Sequence, residues 1–152
     1  MALILFDTNI FIDMLNGVHQ ATIELGSYDS PAISIITYME LRAGEIHRPQ
    51  DKPLLDAILT EFEVIEVSRR ITDAAIAIRG SSFLTAPKVK LPDCIIAATA
   101  RDCGVPLVTR NWKDFVNTGI AVHVPYEYDA ATGVVSNVKP AYRNSPPSPT
   151  LT

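Results

Sequence analysis

Four acids stand far apart in the sequence at the starts of helical or turn-like patterns: Asp7 directly after a first apolar run, Glu40 in the first turn of a helical pattern after a second, Asp93 at the opening of a later helical pattern, and Asp114 after the run Val105 to Val108. Local pairing along one helix or turn cannot explain separations this long. Taken singly, each acid has an ordinary explanation: Glu40 completes a Thr37-x-x-Glu capping box, Asp93 complements a helix dipole, Asp114 caps with Asn111, and Asp7 starts a turn. The set is harder to explain that way, because carboxylates converging at one end of a sheet repel. At about 5 Å and an effective dielectric near 20, one such pair costs about 3 kcal/mol. A divalent cation removes that cost, and hard oxygen donors without His or Cys favour Mg²⁺, with Mn²⁺ next, over Zn²⁺. Such an ion orients a water, lowers its pKa and neutralises charge growing on a phosphodiester. Hydrolysis of a nucleic-acid backbone follows from this chemistry, but phosphatases use the same physics, so the acids alone leave the reaction open.

The elements that must position these acids alternate in type. Leu3-Ile4-Leu5-Phe6 is a continuous apolar run, as expected of a strand covered on both faces. Asn9 is placed to cap a helix from Ile10 to about Gly17, and a second helix follows over residues 19–25. Residues 31–36 form the next apolar run, and the Thr37 capping box opens another helix there. Residues 51–60 carry helical periodicity, 62–67 alternate as a strand does, and Ile71, Ala74, Ala75 and Ile78 mark a helix ended by Gly80 and Ser81. Pro92 suits the first turn of a helix reaching Asp102, with Gly104 as its stop, and residues 105–108 and 120–124 are the last two strands. Strands separated by helices imply an α/β fold with a mainly parallel central sheet between helical layers. In such sheets ligands gather at the carboxyl ends of the strands, where all four acids fall.

The chain has 152 residues, 47% of them hydrophobic, which suits one compact domain. Residues 1–128 form that expected domain. The segment 129–152, with Lys139-Pro140 and Ser145-Pro-Pro-Ser-Pro149, lacks apolar periodicity from Val135 onward and is expected to be an extended or disordered tail. The first apolar run is broken by Asp7, so it is neither a signal peptide nor a membrane span, and a cytoplasmic protein is the expectation. Cys94 and Cys103 lie nine apart in one helical pattern, where they cannot pair, and are expected to be buried thiols. A net charge of −4 opposes simple electrostatic capture of nucleic acid unless the acids concentrate at a metal site.

Four blocks in order resemble the PIN-domain family, in particular VapC-type toxins of toxin–antitoxin pairs. They are Leu5-Phe-Asp-Thr-Asn-Ile-Phe-Ile12, Thr37-Tyr-Met-Glu-Leu41, Leu91-Pro-Asp-Cys-Ile-Ile-Ala-Ala-Thr-Ala100 and Val108-Thr-Arg-Asn-Trp-Lys-Asp-Phe115. The resemblance covers about residues 2–126. It implies a three-layer α/β/α domain, Mg²⁺-dependent endoribonuclease activity, an RNA substrate, a cognate antitoxin and a homodimer. It further implies that Asp7, Glu40, Asp93 and Asp114 hold metal and the attacking water. Thr8, Asn9, Thr109 and Asn111 match small polar positions that would orient the carboxylates. Lys88, Lys90, Arg110 and Lys113 are the bases near the acid blocks that would face phosphates, set against the ordinary alternative of solvated surface. Trp112 is expected to pack rather than stack on bases, and His19, His47 and His123 lie outside every acid block.

Three other functions can be weighed. An aspartyl-nucleophile phosphatase needs an acid two residues after Asp7 to protonate the leaving group, and Asn9 cannot supply that proton. A phosphoreceiver module needs an acid after its third strand, where Val67-Ser68 stands. A non-catalytic PIN-like domain that binds RNA or protein shares the motifs and differs only in whether the acids are placed to act.

Overall fold

A computed structural model describes residues 3–143; the Pro-rich run at 145–149 lies outside the described residues. Among the described residues a five-stranded parallel sheet has the order β3-β2-β1-β4-β5. Its strands are β1 Leu3–Phe6, β2 Ser30–Ser34, β3 Glu63–Ile65, β4 Leu107–Val108 and β5 Val122–His123. The helices are α1 Thr8–Leu15, α2 His19–Leu25, α3 Ile35–His47, α4 Lys52–Leu59, α5 Arg69–Ser82 and α6 Leu91–Cys103.

Alternation along the central strands divides the core. Ile4, Phe6, Ile33 and Val108 join Phe11, Met14 and Leu55 in one buried cluster, over which α1, α2 and α4 lie. Leu5, Ala32 and Leu107 face the other way, onto Ile71, Ile78, Ile96 and Ala97 of α5 and α6. A period-two pattern with apolar residues on both faces is what a covered parallel sheet requires. The fold is therefore α/β in three layers, as the alternation of elements predicts. No helix among the described residues is long and apolar enough to cross a membrane.

Several local expectations change. The cap of α1 is Asp7, whose carboxylate accepts from the Thr8 amide, so the helix starts before Asn9 and frees that amide for other work. β2 stops at Ser34, and Ser34 caps α3 by accepting from the Ile36 amide. Thr37 is thus already inside the helix and fully buried, and the Thr37–Glu40 capping box does not form. α5 runs through Gly80 to Ser82, because one glycine costs a helix only about 1 kcal/mol while tertiary packing holds the rest. Cys94 is buried, but Cys103 at the end of α6 is only half-buried; both are free.

The expected boundary at residue 128 falls inside an antiparallel hairpin, β6 Glu127–Asp129 with β7 Val134–Ser136. Tyr128 and Val135 pair across it, and both pack on the first core cluster. A short strand with one inward residue gives too little periodicity to read, and that is why the segment looked like a tail.

Candidate active site

The strand order reverses between β1 and β4: the chain leaves β1 towards β2 on one side and returns to β4 on the other. Such a switch point opens a crevice at the carboxyl ends of the strands. Asp7 follows β1 there and Thr109 follows β4. The Asp7 amide donates to Val108 O at 2.9 Å, which carries the strand pairing one residue further and delivers both side chains to the same spot.

Asp7 is held firmly. Its Oδ1 accepts from the Thr8 amide at 2.8 Å, and its Oδ2 accepts from the Thr109 hydroxyl at 2.8 Å and from Asn9 Nδ2 at 3.1 Å. The Thr109 hydroxyl has one proton, given to Asp7, and accepts from Asn9 Nδ2 at 2.9 Å and from the Asn111 amide at 3.0 Å. Its hydrogen-bonding capacity is thereby filled. A carboxylate offers about four lone-pair sites, so Asp7 keeps one direction open. The Thr8 hydroxyl donates to Thr37 Oγ1 at 3.1 Å and lies 3.3 Å from Glu40 Oε1, tying α1 to α3.

A cavity of about 310 Å³ is lined by Asp7, Glu40, Asp93 and Asp114, with Asn9, Asn111 and Lys90 beside them. Glu40 lies in the second turn of α3, Asp93 in the first turn of α6, and Asp114 in a 3₁₀ turn, Trp112–Phe115. The acids sense one another. Burial raises the pKa of Asp93 to about 7, aided by the charges of Asp7, Asp114 and Glu40 and opposed by Lys90. Burial also raises Asp7, against its hydrogen bonds from Thr109 and Thr8, and Glu40 is raised by burial and by Asp7.

The donor set suits a hard divalent cation: all oxygen, mutually repelling, with one fixed member. Among the described residues no three acid, His or Cys side chains stand closely enough to enclose an ion as they are. Mg²⁺ does not need that, because it keeps several waters and is usually bound through one or two carboxylates. Asp114 is exposed and Glu40 is exposed with only the long Thr8 contact on its carboxylate, whereas Asp7 is buried and held by three donors. Asp7 and Asp93 would be the first residues to hold such an ion, with Glu40 and Asp114 beside them in the same cavity.

Of the four bases, only Lys90 lines the cavity. Lys88 Nζ lies 5.6 Å from the Phe83 ring and Lys113 Nζ 5.8 Å from the Trp112 ring. Arg110 is turned away: its guanidinium grips Asp13 through Nε and Nη2. Trp112 is half-exposed rather than packed. Sequence reasoning missed Asp13, which is 2% exposed. Its signal was an acid three residues after Ile10, inside the apolar stripe of α1, where an unpaired carboxylate is not tolerated.

Among solved structures, the chain resembles a toxin–antitoxin complex from Klebsiella pneumoniae, at 39% identity and a TM-score of 0.69, covering 84% of this chain and 99% of that one. It also resembles FitAcB from Neisseria gonorrhoeae, at 24% identity and a TM-score of 0.72, over 80% of this chain and 97% of that one. VapBC2 from Rickettsia felis, bound to a promoter DNA fragment, matches at 24% identity and a TM-score of 0.69, over 80% and 97%. The last two bear on the fold alone. No curated protein matches the sequence. The family model of the PIN domain matches residues 4–120, which takes in all four acids and the whole parallel sheet up to β4, and the chain therefore belongs to the PIN-domain family.

Proposed function

We propose that this protein is a Mg²⁺-dependent endoribonuclease, with Mn²⁺ as a substitute ion, and that it acts in the cytoplasm as the toxin of a toxin–antitoxin pair. The single observation carrying the nuclease reading is the shared cavity of Asp7, Glu40, Asp93 and Asp114, in which the charges of Asp7, Asp114 and Glu40 make Asp93 harder to ionise. When bound there, the ion would supply charge neutralisation and an acidified water. Asp7, oriented by Thr109, Asn9 and the Thr8 amide, holds a fixed oxygen toward the ion. Asp93, protonated more readily than an ordinary carboxylic acid while the site is metal-free, would give up that proton as the ion binds and serve as its second carboxylate. Glu40 and Asp114, exposed at the rim, orient water against the scissile phosphate. Lys90 stands where a phosphate oxygen would otherwise meet four acids.

The toxin reading rests on the relative at 39% identity, which is a toxin–antitoxin complex. A groove of about 250 Å³ shares Thr8, Ile12 and Glu40 with the acid cavity, so an antitoxin segment lying in it would reach the acids. A homodimer is supported by exposed apolar side chains, Met39 and Ile46 on α3 and Ile76 on α5 with Phe83 and Leu84 just beyond it. One observation favours a binding-only module instead, the open spacing of the acids.

The test is cleavage of a labelled, structured RNA pool by antitoxin-free protein in Mg²⁺, Mn²⁺ or EDTA. Cutting that needs the ion and disappears in Asp7→Asn is expected. Intact RNA across pools of varied sequence, from folded protein, would favour the binding-only module.

A further inference from the structure

Beyond residue 120, where the family match ends, the chain turns back onto Asp13 of α1 and Arg110, beside the candidate site. Tyr126 is fully buried, and its hydroxyl donates to Asp13 Oδ2 at 2.7 Å. Asp13 also accepts both guanidinium bonds of Arg110, the second at 2.9 Å, so its carboxylate is shared by the arginine and the tyrosine. The Arg110 guanidinium lies 5.7 Å from the ring centre of Tyr128, within cation–π range. Arg110 is therefore held on one side by α1 and on another by the first strand of the hairpin.

The backbone of the same residue enters the site. The Arg110 amide donates to Asn9 Oδ1 at 3.2 Å, and Asn9 Nδ2 donates to both Asp7 and Thr109. An unbroken series of hydrogen bonds thus runs from Tyr126 through Asp13, Arg110 and Asn9 to Asp7. The far end is anchored separately: the Lys139 amide donates to Pro125 O at 2.9 Å, and the Tyr142 amide donates to the Tyr28 hydroxyl at 2.8 Å. The inner residues of the hairpin, Tyr128 and Val135, seat it on the core.

We infer that residues 125–143 form a positioning element for the acid site, in which Tyr126 and Tyr128 hold Arg110 on Asp13 and thereby set the 109–111 segment that orients Asp7. Tyr126 and Tyr128 are positioning residues; neither lines the acid cavity. The inference rests on the nuclease reading only for its kinetic consequence, since the geometry it describes exists without substrate or metal.

Tyr126→Phe removes one hydroxyl and keeps the buried ring; Tyr128→Leu removes the ring from the guanidinium and keeps an apolar contact, so the pair protects against loss of folding in either one. Three readouts apply to full-length protein: the amide signals of Thr109, Arg110 and Asn111 with the Asn9 side-chain amide by NMR, Mn²⁺ affinity by titration, and RNA cleavage. Direct loss of a ligand-orienting group commonly costs about 10- to 100-fold, and these residues act one or two steps further out. Both variants are expected to move those amide signals, weaken Mn²⁺ about 3- to 10-fold and lower kcat by a similar factor with KM for RNA unchanged. A variant that lowers Tm yet leaves the amide signals and Mn²⁺ affinity as in the unaltered protein would overturn the inference, leaving a purely structural hairpin. If the unaltered protein cuts no RNA, the nuclease reading fails while the NMR and Mn²⁺ readouts still decide this one.

Discussion

Asp7 is the most constrained of the four acids, because three donors fix its oxygens and its neighbours have little freedom to give way. Thr109→Val keeps the volume and removes the hydroxyl that donates to Asp7. It is expected to cut metal affinity and cleavage by about 10- to 100-fold, measured side by side by Mn²⁺ titration and RNA cleavage. Asp93 shows the opposite side of the same arrangement. Its folded pKa of about 7 lies above the ordinary 3.8, so the folded state binds the proton more tightly than the unfolded chain does. Stability from this group is fully present below about pH 4 and is lost as pH rises through 7. Metal-free protein should therefore show a falling Tm from pH 5 to pH 8, and the fall should be shallower in Asp93→Asn and in millimolar Mg²⁺. At pH 8, Asp93→Asn should melt several degrees higher than the unaltered protein while losing cleavage, the usual exchange of stability for a charged site.

At the scale of elements, Asp7, Glu40 and Asp114 were legible because they come after β1, β2 and β4, and strand ends at a parallel sheet's carboxyl edge are where chemistry collects, whereas Asp93 opens α6, which follows α5 rather than a strand. Asp7 and Asp93 stand where the periodicity put them. The caps were harder to read. Ser34 and Thr37 are both good capping residues three apart, and only the true end of β2 decides between them. Likewise Asn9 and Asp7 are alternative caps two residues apart, and the end of β1 at Phe6 leaves Asp7 as the last extended residue before the helix, its carboxylate accepting from the Thr8 amide. Gly104 was readable: it ends α6 at φ +65°, a left-handed position that costs other residues about 1–2 kcal/mol. Gly104→Ala should lower stability by about 1 kcal/mol, and thus Tm by about 2–4 °C, with Mn²⁺ affinity unchanged. The site lies at the other end of that helix, so chemical denaturation and metal titration together separate the two effects.

The whole molecule adds what no local pattern carried. Asp13 meets Arg110 and Tyr126 across roughly a hundred residues of sequence, and nothing in either segment announces the other. Arg110 looked like a phosphate-facing base for the same reason: its charge was visible, its partner was not. The hairpin closing on the core through Tyr128 and Val135 was equally hidden, because two inward side chains make no periodicity. Exposed Met39, Ile46 and Leu84 bear on assembly. Light scattering at micromolar concentration should give twice the 16.6 kDa of one chain, and Ile46→Glu with Leu84→Glu should return it to one.

That the four carboxylates form one metal site is tested most directly by crystals of the antitoxin-free protein soaked in millimolar Mn²⁺ and measured for anomalous scattering. The expected result is a peak in the acid cavity within about 2 Å of oxygens from Asp7 and Asp93, absent from crystals of Asp7→Asn. Well-ordered crystals with no peak there, or with one bound elsewhere and unaffected by Asp7→Asn, would contradict it.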